Sequence, residues 1–146
     1  MDLVSRTHIA AEPARVWATV VDLRHLVDDV PGVVAVAPPD FAAVAGQRVT
    51  VTVAAAGRQL AVPATLTVVA PPAELVVDAE LPEPVGAPAT ATLSLAPAGG
   101  GTDVTLAVAI RLGMLKAMAA KAMLGSRGQE ALDEALAQLK RRVEGA

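Results

Sequence analysis

Apolar and polar positions along the chain change their period twice. Residues 3–10 (LVSRTHIA) alternate, with Leu3, Ser5, Thr7 and Ile9 on one side and Val4, Arg6 and His8 on the other, as in a strand. At Glu12-Pro13 the period becomes helical. Proline suits the first helical position, where its missing N–H costs nothing, and the Glu12 charge suits the helix N-terminus. Val16, Trp17, Val20 and Val21 then form one apolar stripe. A second short helical segment is predicted over 23–29, stopping at Pro31-Gly32.

From there the period is two. Strands are predicted at 33–38, as an edge strand ended by Pro38-Pro39, and at 47–55, with Val49, Val51 and Val53 opposite Thr50 and Thr52. The segment 59–69 gives Leu60, Val62, Ala64, Leu66 and Val68 one face, and Pro63 argues for an edge or a bulge there. Residues 74–81 set Leu75, Val77 and Ala79 against Val76, Asp78 and Glu80. Residues 89–96 set Ala89, Ala91, Leu93 and Leu95 against Thr90, Thr92 and Ser94. Residues 102–112 carry Val104, Leu106, Val108 and Ile110 on one face. Such clean alternation suits an antiparallel sheet with one buried face and one wet face.

The helical period returns at the end. Residues 113–124 (GMLKAMAAKAML) read as a short Met-rich segment broken at Gly125. Ser126 and Gln129 match a capping box that starts a new helix. Leu132, Leu136, Leu139 and Val143 form its apolar stripe, and Lys140, Arg141 and Arg142 sit in its last turn, where cations suit the dipole. The pattern predicts one α+β domain over residues 1–146. A curved antiparallel sheet of six to seven strands wraps a long C-terminal helix, with two short helices after the first strand. Small residues such as Ala64, Ala79, Ala89 and Ala91 would leave the space between sheet and helix partly unfilled.

Composition sharpens this picture. Of 146 residues 53% are hydrophobic but only 1% aromatic, so the core is Ala, Val and Leu, with Trp17 its one indole. Codon bias toward Ala and Val accounts for that composition as well as any function does. A net charge of −3 argues against nucleic acid as a partner. With no Cys there is no disulfide or thiolate site. The N-terminus lacks the apolar core of a signal peptide, and no apolar run reaches the ~18 residues of a membrane span, so a soluble cytoplasmic protein is expected.

Candidate chemistry is sparse. His8 and His25 show no paired ligand spacing, so neither a metal site nor a cofactor is expected, and both read as surface or satisfied polar residues. No serine lies in a Gly-x-Ser-x-Gly elbow. Gly99-Gly100-Gly101 lacks the Lys-Ser/Thr of a phosphate loop and reads as a hairpin turn. Asp28-Asp29 reads as a solvated helix end. No catalytic residue is assigned.

The segments IAAEPARVWATVVD (9–22), VPGV (30–33), GGGTDVTLAVAI (99–110) and EALDEALAQLKRRVE together resemble the START-like (SRPBCC) superfamily. Within it the chain is most similar to the group named for the G subunit of carbon monoxide dehydrogenase. The resemblance implies the helix-grip fold shared with Bet v 1-like proteins and a hydrophobic ligand, lipid or isoprenoid-like, in the helix–sheet cavity. Leu60, Val62, Leu66, Leu93, Leu106, Val108, Leu132, Leu136 and Leu139 are expected to line that cavity. Met114, Met118 and Met123 belong either to ordinary core packing or to a lid or portal that meets a membrane or a partner. Two alternatives stay open. One is a polyketide cyclase or aromatase using Arg58 or Arg111, an enzyme the aliphatic cavity face and the absence of Tyr argue against. The other is an accessory protein to a molybdenum hydroxylase of the carbon monoxide dehydrogenase type. The sequence leaves the oligomeric state undefined.

Overall fold

The computed structural model describes Met1 to Gly145 except residues 23, 24, 31, 39–42, 56, 83 and 84, and leaves the side chains of residues 26, 55 and 119–126 undescribed. Element order is β1 (Asp2–Ile9), α1 (Pro13–Val20), α2 (Leu26–Asp29), β2 (Val33–Ala37), β3 (Arg48–Ala55), β4 (Arg58–Ala70), β5 (Glu74–Leu81), β6 (Ala87–Ala98), β7 (Gly101–Ile110) and α3 (Met114–Glu144). The strands form one antiparallel sheet in the order β1-β7-β6-β5-β4-β3-β2. A meander from β2 to β7 is thus closed by β1, which returns beside the last strand. The predicted α+β arrangement, an antiparallel sheet of six to seven strands with two short helices and a long C-terminal helix, is observed with seven strands.

Strand parity decides which face is buried. Ile9, Val49, Val62, Ala64, Leu66, Leu75, Ala89, Leu93, Leu95, Val104 and Ile110 all face inward and are buried. The edge assignment for the 33–38 segment holds, since β2 ends the sheet. Pro63 does not mark an edge strand, because β4 lies between β3 and β5. The β4–β5 ladder begins at Ala64↔Ala79, so Pro63 is paired only with Thr50 of β3 and its missing N–H interrupts no ladder to β5. The irregularity in β4 falls between Leu66 and Val68 instead. Between β6 and β7 the predicted hairpin is tight: Ala98 faces Gly101, and Gly99 (φ 54°) and Gly100 (φ 81°) supply the left-handed backbone of a two-residue turn.

The expected break at Gly125 is absent. One helix of 31 residues runs from Met114 to Glu144, so Ser126 lies inside it rather than at a cap. A glycine within a helix costs about 1 kcal/mol, which tertiary contacts can offset. Here Gln129 does not close a capping box; its amide donates to Val4 O (2.8 Å) and to Asp133 Oδ1 (3.0 Å). Ser5 Oγ also donates to Asp133, Lys140 Nζ donates to His8 O (2.7 Å), and Glu144 accepts from Ala10 N (2.9 Å). These residues form a polar stripe on α3 that engages backbone groups along β1, an edge strand whose outer side has no partner strand. The neighbouring stripe, Leu132, Leu136, Leu139 and Val143, turns into the core as the sequence pattern predicts. Gly128 lets the helix come close, since a Cβ there would stand 3.0 Å from Leu3 Cδ1.

The main core joins Ile9, Val16, Trp17, Leu66, Leu75, Leu93, Leu95, Val104, Leu136 and Val143. Helix α1 starts as predicted, with Glu12 as N-cap and Pro13 in its first turn. Trp17, 8% exposed, packs under the sheet from this helix, where Ala or Val would leave a void. A second, smaller cluster of Ala87, Ala89 and Ile110, with Met1, Leu81, Val85, Val108 and Leu112 against it, occupies another part of the inner face.

Candidate functional site

The core does not fill the whole inner face. Beside Trp17's helix a pocket of about 200 Å³ is left between sheet and helices. Its apolar wall is built from Leu75 and Val77 of β5, Ala91 and Leu93 of β6, Leu106 of β7, and Ala135, Leu136 and Leu139 of α3. Val20, at the end of α1, and Val30 extend that wall. The space exists for a steric reason: Ala91 and Ala135 present only a methyl group where larger residues would meet.

Among the described residues, the polar groups of the pocket are confined to one rim. Thr19, Asp22, His25 and Asp29 come from the C-terminal end of α1, the connection that follows it, and α2. His25 Nε2 stands 3.4 Å from Asp22 Oδ2, on a turn in which the His25 N–H also donates to the Asp22 carbonyl (3.2 Å). Asp29 is held differently. Arg142 of α3 donates to both its oxygens, Nε to Oδ2 (2.7 Å) and Nη2 to Oδ1 (2.8 Å). These hydrogen bonds hold the Asp29 carboxyl below its ordinary value against the opposing effect of burial. Asp29 is therefore not the solvated helix end expected; the bidentate bridge ties α2 to α3 and fixes the rim of the pocket.

Of the cavity residues expected from sequence, Leu93, Leu106, Leu136 and Leu139 line this pocket. Leu66 is buried in the adjoining core, 1% exposed. Leu60, Val62, Val108 and Leu132 lie outside the pocket wall: Val108 packs in the second cluster, Val62 and Leu132 are buried elsewhere on the inner side, and Leu60 is half-buried. The shared parity of the strands made them look equivalent, but α3 crosses only part of the sheet. Met114 and Met118 are likewise absent from the pocket wall and stand exposed at the start of α3; Met123 has its side chain outside the described residues.

Sequence reading missed the rim. The helical segment there is too short to show a period, so His25 reads only as a surface or satisfied polar residue; its pairing with Asp22 agrees with that, but its place at a pocket is not legible. The local signal was Asp22 three residues before His25, a spacing that lets the two side chains meet. His8 does behave as a satisfied surface residue, with Nδ1 2.8 Å from Asp103 Oδ1.

Arg111 and Arg58 do not enter the pocket. Arg111 follows Ile110, whose side chain is inward, and so falls on the outer face, where Nη2 donates to Thr90 Oγ1 (3.4 Å) and Thr90 donates to Asp78 (2.7 Å). These groups line a separate cleft with Pro63, Thr65, Glu80 and Pro88. Arg58 is exposed at the β3–β4 turn. Among the described residues no group of three or more His, Asp or Glu could hold a metal ion.

Comparison with known proteins agrees with this architecture. Over 98% of its length the chain superposes with 86% to 97% coverage on several bacterial structures, and three further examples show its range. A Rhodobacter sphaeroides protein matches with TM-score 0.75 at 22% identity, covering 97% of this chain and 91% of that one. Ara h 8.0201 matches with TM-score 0.69 at 16% identity, covering 100% and 99%, which places the chain in the helix-grip fold. StfQ, a di-domain ARO/CYC protein of the steffimycin biosynthetic pathway, matches with TM-score 0.78 at 12% identity, covering 99% of this chain and 50% of that one. No curated protein matches the chain. Residues 1–144 match the sequence profile described as polyketide cyclase / dehydrase and lipid transport, and the chain belongs to that family.

Proposed function

We propose that this protein binds a small, chiefly apolar molecule carrying one hydrogen-bonding group, with its apolar body against Leu93, Leu106, Leu136 and Leu139 and its polar end at Thr19, Asp22 and His25. The observation that carries this reading is the segregation of the pocket: an aliphatic wall and a polar rim on one side only. Apolar cavities of ~150 Å³ lined by Leu and Ile stay dry and take up benzene-sized guests. The volume of about 200 Å³ lies below the ~300–1,000 Å³ of drug-sized ligand sites. It suits a monoterpenoid-sized guest rather than a two-chain phospholipid, which narrows the lipid or isoprenoid-like ligand implied by the family. Mass spectrometry of the organic extract of purified protein tests this. A stoichiometric small apolar molecule is expected; protein that copurifies with none and takes up none from a monoterpenoid mixture would count against it.

One observation favours an enzymatic second reading. The His25–Asp22 pair puts a titratable imidazole beside a carboxylate at the mouth of an apolar cavity, where a bound carbonyl compound could exchange a proton with it. The family includes cyclases and dehydrases by its description, and StfQ is described as an ARO/CYC. On this reading His25→Ala abolishes turnover of a bound polyketide-type substrate while leaving its affinity within a few-fold. Equal turnover in the variant would remove His25 from the chemistry. The accessory role, drawn from the likeness to the carbon monoxide dehydrogenase group, is finer than the family match, and copurification with a molybdenum hydroxylase is its test.

A further inference from the structure

The first turns of α3 present an apolar surface that none of the described residues covers. Met114 and Leu115 are each 83% exposed and Met118 66%, more than any other large hydrophobic side chain among the described residues. On a helix these positions fall within one arc of roughly 100°. The surrounding charge is also unusual. From Val104 to Gln129 the chain carries Arg111, Lys116, Lys121 and Arg127 and no acidic residue, in a protein whose net charge is −3. Arg111, Lys116 and Arg127 are exposed. An apolar cluster with cationic flanks inside an otherwise acidic chain is complementary to one kind of surface, an anionic bilayer. Thioether and leucyl side chains enter irregular acyl space, and lysine can lay its stem along the interface while its ammonium stays with the headgroups.

We infer that the N-terminal end of α3 docks this protein reversibly on anionic phospholipid membranes. Three side chains offer far less than the ~800 Å² per partner of a standard protein interface, which argues against a stable dimer through this patch. Shallow insertion with electrostatic attraction needs no such area. The patch lies roughly 30 Å along α3 from the pocket wall at Ala135, so docking leaves the pocket rim free, and the inference stands whatever the pocket binds.

Vesicle flotation of the full chain tests it. Binding to phosphatidylglycerol-rich vesicles should exceed binding to pure phosphatidylcholine by roughly tenfold or more, and fall as salt is raised. The triple change Met114→Ser, Leu115→Ser, Met118→Ser should abolish flotation with circular dichroism unchanged, because these side chains are largely exposed. Lys116→Glu, a single exposed change that keeps the apolar patch, should weaken binding to anionic vesicles alone. Absence of flotation, equal binding to both lipids, or flotation unaltered in these variants overturns the inference. So does a dimer seen by light scattering that the triple change dissolves without any lipid binding.

Discussion

Three single positions carry the local consequences of this fold. Among the described residues Trp17 is the one aromatic side chain in a core otherwise made of aliphatic pieces. Its truncation to Ala leaves a void between α1 and the sheet and should cost about 3–5 kcal/mol in chemical denaturation. Thr102, fully buried, donates from Oγ1 to the Ala11 carbonyl (2.7 Å), so that the chain leaving β1 is tied to β7. Thr102→Val keeps the shape and strands that carbonyl, at about 1–3 kcal/mol. Gly101 has no room for a side chain: a Cβ would collide with the Ile9 carbonyl and lie 2.8 Å from His8 Nε2. Gly101→Ala should destabilise by about 1–3 kcal/mol, more than Gly100→Ala would through space alone, since nothing lies near a Cβ there. Inward and outward faces were legible at this scale because strand parity is binary, except at Val68, expected on the face of Leu66 but 39% exposed because the irregularity in β4 between the two shifts the register. His25 was not, because its role depends on which cavity lies beneath it.

At the scale of elements, the strands were read nearly to their ends, while the long helix was read as two. Gly125 and the Ser126–Gln129 pair are sound local signals for a boundary. They lose to non-local contacts: Gln129 and Lys140 bond the Val4 and His8 carbonyls of β1, Asp133 accepts from the Ser5 hydroxyl and Glu144 from Ala10 N just beyond the strand, and Leu132, Leu136 and Val143 are buried beside them. No local pattern reports that a helix will lie along a strand more than a hundred residues earlier. The same holds for the Arg142–Asp29 bridge that joins α3 to α2. Because Asp29 has its carboxyl lowered in the folded state, the bridge adds stability above the ordinary carboxylate range near pH 3.9 and loses it as pH falls through the lowered value. Asp29→Asn should therefore lower Tm at neutral pH, and the gap from the unaltered protein should close below about pH 4. A gap independent of pH would mean that the carboxylate charge is not what holds α2.

The whole molecule is a sheet of seven strands that grips one helix and leaves a small apolar space with a polar rim. The existence of that space was legible from the surplus of Ala on inward faces. Its position was not, since it depends on where α1, α2 and α3 cross the sheet. Ala91, on the wall, is the natural place to test it. Ala91→Leu fills the space with carbon alone, so ligand binding should fall more than tenfold while Tm stays level or rises. The most direct measurement of the central claim is methyl NMR of the protein titrated with geraniol, a monoterpenoid alcohol with one hydroxyl. Saturable shifts concentrated at Val20, Val77, Leu93, Leu106, Leu136 and Leu139, and absent in Ala91→Leu, are the predicted result. No saturable shift, or shifts confined to methyls outside that wall, would contradict it.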